Sequence, residues 1–244
     1  MQLDLYYFQP LATNSARVFL ALLEKGVNFT EHAMFGPHFD HLKPAYLAIN
    51  PKGQVPTLVC DGDVLTEGML INEYIDEAFD GPALRPADPL DRFAMRRWCS
   101  YAENDLGRAV MMINWNRVVP DIAGNRAPEE MEKLLENVPD PDRRRSWLRA
   151  FRQTTPPAEI EESHKRLIEG CRLTEARLAR HRWLAGDAYS LADIDFMCFC
   201  GLIADWMPEL MNASTTPATM EWLARIEARP AVRELRERTQ GLLM

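Results

Sequence analysis

The pattern of apolar and polar residues changes near residue 80, and this change divides the chain into two parts. Up to about Phe79, short apolar segments typical of strands alternate with helix-like segments, which indicates a mixed or parallel sheet covered by helices. After Pro86 no segment has the pattern of a strand. We therefore predict an α/β N-terminal domain over residues 1–80, a linker, and an all-helical C-terminal domain over residues 88–244.

The pattern of the N-terminal region predicts strands and helices separated by turn residues. Gly26 follows the first helix as its stop, and Asp61-Gly62 forms a tight hairpin turn. The predicted elements are strands at 3–8 and 28–34, a hairpin from 57–60 to 64–65, and helices at 16–25, 38–48 and 67–78, the last capped by Thr66.

The C-terminal region opens with a strong helix start, in which Asp88 is the N-cap and Pro89 the first residue of a helix reaching about Arg117. Residues 126–155 are highly charged and broken by prolines, and the arginine run at 143–145 is interpreted as a solvated helix face rather than an anion site. Further helices are predicted at 159–180, 191–207, 217–229 and 231–243, the second with a structural capping box from Ser190 to Asp193.

Composition excludes several classes of function. Lys and Arg total 28 against 36 Asp and Glu, a net charge of -8, so a nucleic-acid partner is not expected. We expect no membrane segment and a cytoplasmic protein, because neither a signal peptide nor an apolar run of spanning length is visible.

The five cysteines lie mostly in apolar segments, which favours reduced core thiols. Cys198 and Cys200 are two residues apart, a spacing that does not let both bind one metal ion from a helix. No metal site is predicted.

One constellation points to a ligand. Gly53-Gln54-Val55-Pro56 precedes a strand, a hairpin and then Thr66-Glu67 at a helix start. A proline at such a junction, if cis, turns the backbone of Val55 outward, where an extended peptide can pair with it as an added strand. Glu67 can meet an ammonium group while nearby N–H groups meet a carboxylate. Together these features suit the γ-glutamyl end of glutathione. Taken singly, Val55-Pro56 could be a rigid turn and Glu67 a favourable first-turn acid; their joint spacing favours the ligand.

The chain resembles the glutathione S-transferase superfamily over nearly its whole length. The motifs that carry the resemblance are Asn50-Pro51-x-Gly53-x-Val55-Pro56, Thr66-Glu67, Ser190-Leu191-Ala192-Asp193-Ile194 and Arg229-Pro230-Ala231-Val232. The resemblance implies a thioredoxin-like N-terminal domain, a helical domain that binds substrate, and glutathione as co-substrate. It also implies pairing of subunits into a dimer of identical or different chains.

The same resemblance assigns roles in glutathione binding. It implies that Val55, before Pro56, pairs with the cysteinyl backbone, that Glu67 holds the γ-glutamyl amine, and that Gln54 and His41 reach the other end of the tripeptide. The alternative for His41 is an ordinary surface histidine.

Residue 68 departs from the family pattern. The family usually has serine after the glutamate, whereas this chain has Gly68, which keeps the backbone N–H but lacks the hydroxyl. Losing that hydrogen bond is expected to cost about 1 kcal/mol of tripeptide affinity.

The reactive centre is predicted at the start of the first helix. A free thiol has a pKa of about 8.5, so its thiolate needs hydrogen bonds and positive potential. The resemblance puts the stabilising hydroxyl in this turn, where Ser15 is the favoured donor and Asn14 the second; the alternative is that either residue only caps the helix. No cysteine lies there, which argues against a thiol-disulfide oxidoreductase.

The substrate site is predicted from the first helix of the second domain. Met111, Trp115, Asn116 and Arg117 combine soft, aromatic and cationic groups that suit a flat aromatic ligand, although an ordinary core is an equal alternative. A narrower resemblance is to bacterial glutathione-dependent lignin β-aryl etherases. It rests on Asn14-Ser15, residues 84–89, Trp115-x-Arg117 and the long insertion before Glu159, which prolines interrupt.

This narrower resemblance implies an enzyme that attacks a small aromatic ether with the glutathione thiolate. The thiolate would displace a phenolate from the carbon next to a ketone. Two alternatives stay open: a weakly catalytic or non-catalytic subunit that serves as a dimer partner, and a transferase acting in dehalogenation or isomerisation.

Overall fold

A computed structural model describes residues 2–9, 11 and 13–238, and its first third is a four-stranded sheet with helices. The strands are β1 (Leu3–Gln9), β2 (Thr30–Phe35), β3 (Thr57–Cys60) and β4 (Asp63–Leu65). The helices of this region are α1 (Thr13–Glu24), α2 (Pro44–Leu47) and α3 (Gly68–Ala78).

The rest of the described chain is helical. Its helices are α4 (Pro89–Tyr101), α5 (Gly107–Ala123), α6 (Pro128–Leu135), α7 (Pro141–Phe151), α8 (Pro157–Leu178), α9 (Leu191–Trp206), α10 (Pro217–Glu227) and α11 (Pro230–Arg238). The predicted last helix, 231–243, is confirmed up to residue 238, and its remainder lies outside the described residues.

The sheet has the strand order β2-β1-β3-β4. β1 is parallel to β2, as a strand-helix-strand unit requires, and antiparallel to β3, which continues into the predicted hairpin with β4. Leu5 of β1 lies opposite Leu58 of β3, and both are fully buried. The predicted α/β region followed by an all-helical region is therefore the architecture observed.

Several element boundaries differ from the prediction. The helix expected at 38–48 is instead two short 3₁₀ turns, Gly36–His38 and Asp40–Leu42, followed by α2, because Phe39 adopts a left-handed conformation with φ of 50° and breaks the helical path. The expected cap at Thr66 is wrong: α3 begins at Gly68, and Glu67 occupies the N-cap position.

The long helix after the linker extends further than predicted. Asp88 caps it as expected, accepting hydrogen bonds from the backbone N–H groups of Leu90 and Asp91 at 2.8 and 3.0 Å. The helix then passes through a π-helical segment, Ala102–Leu106, and α5 carries it past Arg117 to residue 123. A π-helical turn inside a helix rotates the residues that follow it.

Two hydrophobic clusters join the two regions. The larger runs from the sheet through α1 into α9, a helix buried on nearly all sides, and includes Leu5, Phe19 and Phe196. The smaller packs Phe39 of the first region against Trp147 of α7, together with side chains of α5 and α6. Helix α1 contacts α3, α9 and α11, so the junction between the two regions is a continuous packed interior.

The capping box at α9 is confirmed and also serves the tertiary structure. The Asp193 carboxylate accepts hydrogen bonds from the N–H of Ser190 at 3.0 Å, the N–H of Leu184 at 3.1 Å and Nε1 of Trp222 at 2.8 Å. Burial raises the pKa of Asp193 to about 6, although its hydrogen bonds act in the opposite direction.

The five cysteines are all buried and unpaired, as their apolar surroundings predict. Within residues 2–9, 11 and 13–238, no helix is both long and apolar enough to cross a membrane.

Candidate functional site

A cleft lies between the first region and the helical region. Its walls come from the start of α1, the loop before β3, the start of α3 and the π-helical segment of the second region. The residues that line it are Asn14, Arg17, Asn50, Lys52, Gln54, Val55, Pro56, Thr66, Glu67, Gly68 and Glu103.

Hydrogen bonds from buried polar side chains hold the loop before β3 in place. Asn50, 2% exposed, donates its amide to the carbonyl of Gln54 and to Oγ1 of Thr57, both at 2.9 Å. The Tyr46 hydroxyl donates to the same Gln54 carbonyl at 2.5 Å, and Oδ1 of Asn50 accepts from the N–H of Lys52 at 3.0 Å. These bonds fix the backbone on either side of Val55.

Val55 borders the cleft, and its peptide bond to Pro56 is cis. Within the described residues, neither the N–H nor the C=O of Val55 pairs with another backbone group. A backbone donor and acceptor left free beside a cleft can pair with an extended peptide as an added strand.

The interpretation of residues 143–145 as a solvated helix face is wrong for Arg143. Its guanidinium Nη2 donates to the carbonyl of Gly53 at 2.9 Å, and burial lowers the pKa of its side chain. Gly53 itself has φ of 56°, and a Cβ there would lie 3.0 Å from Leu47 and 3.1 Å from the carbonyl of His41. Helix α7 therefore supports the loop that carries Val55.

Glu67 stands at the rim of the cleft in an unusual backbone conformation. Its φ is 68°, a region that non-glycine residues rarely adopt and that is enriched at functional sites. Its carboxylate lies 2.6 Å from Nζ of Lys52, and both side chains are exposed. An incoming ammonium group could replace Lys52 at this carboxylate.

Gly68 lies against the guanidinium of Arg17. Arg17 is 1% exposed, with Nη2 2.5 Å from Glu103 and Nη1 3.5 Å from Asp195, which also accepts a hydrogen bond from Asn72 at 3.0 Å. This buried arginine thus ties α1 to both the π-helical segment and α9 beside the cleft.

The structure separates the two predicted thiolate donors. Asn14 lines the cleft. Ser15 is 2% exposed, and its hydroxyl oxygen accepts a hydrogen bond from the N–H of Phe8 in β1 at 3.2 Å. Consecutive residues on a helix do not share a face, so the helix presents one of the pair to the cleft and turns the other toward the strand.

His41 lies behind the cleft rather than on its lining. Its ring, 3% exposed, packs against Phe8, Phe39 and Trp147, and its Nδ1 is buried without a partner in the described part of the chain. Burial, assisted by the positive charge of Arg143, lowers the pKa of His41 to about 4. The imidazole is therefore neutral near pH 7, and it is not the surface histidine considered as the alternative.

The four residues predicted to bind substrate are not brought to this lining. Trp115 packs on Trp147 with ring centroids 5.2 Å apart, and Arg117 lies over the ring of Trp206 at 4.8 Å. The amide of Asn116 donates to the carbonyl of Met112 within α5 at 2.8 Å. Met111, one turn before Trp115, is half-buried.

Sequence reasoning assigned no ligand role to five residues of the lining: Arg17, Asn50, Lys52, Thr66 and Glu103. Arg17 follows Asn14 by three positions and shares its helix face, so helical spacing could have indicated it. Glu103 belongs to the other region of the chain, and nothing in its local sequence points to the cleft.

The two regions match models of known domains. Residues 13–78 match the glutathione S-transferase N-terminal domain, and residues 110–230 match the glutathione S-transferase C-terminal domain.

Full-length relatives are similar over nearly the whole chain. Protein LigF of Sphingobium sp. strain SYK-6 is 35% identical over 98% of this chain and 95% of its own length. Glutathione S-transferase 3 of Zea mays is 29% identical over 92% of this chain and 89% of its own length. The crystal structure of the Sphingobium protein, described as the β-etherase LigF, superposes with a TM-score of 0.93 at 34% identity, covering 98% of this chain and all of that one.

Proposed function

The chain belongs to the glutathione S-transferase family, whose members use glutathione as co-substrate, and we propose that it cleaves β-aryl ethers of aromatic ketones with the glutathione thiolate. The observation that carries the proposal is the cleft itself, whose lining includes the ionic residues Glu67 and Arg17 and also Val55, a residue without a backbone partner in the described part of the chain. Similarity over the full length to a protein described as a β-etherase supports the choice of reaction.

The cleft suits the extended shape of glutathione. The cysteinyl backbone pairs with the N–H and C=O of Val55, and the ammonium of the γ-glutamyl group meets the carboxylate of Glu67. Gln54, on the same loop, also lines the cleft, and we assign it to the glycyl end of the tripeptide. His41 is left out of this arrangement, since it does not line the cleft and its ring packs against Phe8, Phe39 and Trp147.

Asn14 is the proposed partner of the thiolate. It lines the cleft at the first turn of α1, where unpaired N–H groups of the helix add positive potential. Ser15 acts as a positioning residue, because its bond to the N–H of Phe8 fixes the start of α1 against β1.

The reaction is a displacement at carbon. The thiolate attacks the ether-bearing carbon from the side opposite the aryloxy group, the C–S bond forms as the C–O bond breaks, and the aryloxide leaves and takes a proton from water. The neighbouring ketone activates the carbon, so the protein contributes position and a stabilised thiolate. The product is a glutathionyl ketone of inverted configuration.

Incubation with glutathione and each enantiomer of a β-aryloxy aryl ketone tests the proposal, with phenol release as the readout. Asn14→Ala should lower kcat/KM by about ten- to a hundredfold, the effect of losing a hydrogen bond to a charged group. Asn137→Ala, at an exposed asparagine between α6 and α7, is the matched control and should keep full activity. Saturable glutathione binding without phenol release from either enantiomer would refute ether cleavage and favour a non-catalytic dimer subunit.

A dimer with a second copy of this chain is part of the proposal. Leu90 and Phe93, three residues apart on α4, are 78% and 62% exposed, and Leu70 on α3 is 57% exposed. The two helices are joined by the ion pair of Glu73 with Arg96, one turn beyond Leu70 and Phe93 respectively. Large apolar side chains on adjoining helices are typical of a subunit interface.

A further inference from the structure

Arg143 of α7 brings a cation of the second region to the loop that carries Val55. We propose that Arg143 is a positioning residue for glutathione: by holding the carbonyl of Gly53, it keeps the backbone of Val55 in the conformation that pairs with the peptide. It does so without touching the peptide. This inference rests on the proposed use of glutathione and adds a determinant of affinity that lies outside the cleft.

The position of Arg143 is the first observation. Arg143 is not part of the cleft lining, which includes Gln54 and Val55. Its Nη2 donates instead to the carbonyl of Gly53, the residue directly before them, at 2.9 Å. Any effect of Arg143 on a ligand in the cleft therefore passes through the backbone of this loop.

Two successive peptide units lead to Val55, and side-chain donors hold both. The unit between Gln54 and Val55 contains the N–H that faces the ligand, and its carbonyl accepts hydrogen bonds from Asn50 and Tyr46 at 2.9 and 2.5 Å. The preceding unit, between Gly53 and Gln54, is held by Arg143. Because a peptide unit is planar, fixing its carbonyl also fixes its N–H. Gly53, with φ of 56°, has the greatest conformational freedom in this loop and needs such support.

The surroundings of Arg143 do not favour a charge. Its Nε is buried without a hydrogen-bond partner among the described residues, and burial lowers the pKa of the guanidinium. Burying a charged group whose donors are not all paired costs free energy. The contact with the carbonyl of Gly53 is therefore not explained by stability alone, and it indicates a role in the neighbouring site.

Helix α7 is itself fixed well enough to hold a loop of the first region. Its N-cap, Asp140, accepts a hydrogen bond from the N–H of Arg143 at 2.7 Å. Trp147 lies one turn after Arg143 on the same face and is 6% exposed. Its ring packs on Phe39 of the first region with centroids 5.7 Å apart. The cap and the aromatic contact together set where the guanidinium meets the loop.

Calorimetric binding of two peptides tests the inference. One is glutathione, and the other is γ-glutamylcysteine N-methylamide, which keeps both amide groups and lacks only the glycyl carboxylate. Arg143→Gln should weaken the binding of both peptides by the same factor, about tenfold, since both pair with the backbone of Val55. Arg143→Lys keeps a cationic donor on a long stem and should retain more affinity than Arg143→Gln.

Control variants make the result specific. Arg145→Gln is the matched control, because this arginine of the same helix is exposed and pairs with Asp142 at 2.9 Å; it should bind both peptides as the native protein does. Arg143→Met keeps the apolar stem and should show the same loss as Arg143→Gln, so it replaces that variant if thermal unfolding shows misfolding. In phenol release, Arg143→Gln should raise KM for glutathione about tenfold and leave kcat unchanged, because the thiolate partner lies on α1.

The outcomes separate this inference from the proposed reaction. Weaker binding of glutathione alone would overturn the positioning role, since Arg143 would then contact the glycyl carboxylate directly. Unchanged binding of both peptides by the folded Arg143→Gln variant would also overturn it. Equal losses for the two peptides support the role even if the native protein releases no phenol, a result that refutes only ether cleavage. Failure of the native protein to bind either peptide would refute both.

Discussion

Replacing His41 by phenylalanine should reduce the amount by which the free energy of unfolding falls in acid. The imidazole is enclosed by three aromatic rings and its pKa is lowered to about 4 from 6.5, mainly by burial. The unfolded chain therefore binds a proton that the folded chain does not, at every pH between these two values. Stability contributed by the neutral ring is present above pH 6.5 and is lost as the pH falls through 4.

The magnitude follows from the shift in pKa. A difference of about 2.5 pH units at about 1.4 kcal/mol each gives about 3 kcal/mol for full protonation, and about 2 kcal/mol of this falls between about pH 7 and about pH 4.5. The lowered pKa values of Asp40 and Asp76 also reduce the free energy of unfolding in acid. The raised pKa of Asp193 increases it. Because these carboxyl groups are present in both proteins, the comparison isolates His41.

Urea unfolding followed by far-ultraviolet circular dichroism measures the effect. The free energy of unfolding should fall by about 2 kcal/mol less in His41→Phe than in the native protein between the two pH values. His181→Phe, at an exposed histidine, is the matched control and should behave as the native protein does. An equal loss of stability in His41→Phe and the native protein would refute the assignment of a buried neutral imidazole. Weaker glutathione binding by His41→Phe near pH 7 would instead support the contact that the family resemblance implies.

Two further predictions concern the helical region. Asp193→Ala should lower the free energy of unfolding by about 3 kcal/mol or more, since it leaves the indole N–H of Trp222 and the N–H of Leu184 buried without acceptors. Urea unfolding measures this change. A decrease of less than about 1 kcal/mol would contradict the reasoning. Phe93→Glu should convert a dimer into a monomer in light scattering after size-exclusion chromatography. A native protein that already has the mass of one chain would contradict the dimer.

Motifs that act through local geometry were predictable. The sequence predicts Asp88 and Ser190 as helix caps, and the structure confirms both, because a capping side chain satisfies N–H groups only two or three residues away. The order of loop, hairpin and helix predicts that residues 53–56 and Glu67 meet, and the structure brings Val55 and Glu67 to the lining of one cleft. The boundary errors arose where one residue broke a regular pattern, as Phe39 does with its left-handed backbone.

Contacts between distant segments were not predictable. The charged neighbours of Arg143 predict a solvated side chain, yet Arg143 donates to a carbonyl ninety residues away in the sequence. Trp115 and Arg117 suit an aromatic ligand by composition; in the fold Trp115 packs on Trp147 and the exposed Arg117 lies over Trp206, and their role in substrate binding stays a prediction. The choice between a ligand-binding side chain and a packed one depends on the orientation of whole helices.

The α/β region, the helical region and the loop that carries Val55 are predictable from the sequence, since periodicity, caps and turn residues act over a few positions. The role of Gly68 depends instead on how distant segments pack. By sequence it is a missing hydroxyl; in the fold it is the space occupied by the guanidinium of Arg17, held between Glu103 and Asp195. That meaning depends on packing α1, α3 and α9 together with the π-helical segment, and no local pattern specifies how four separate segments meet.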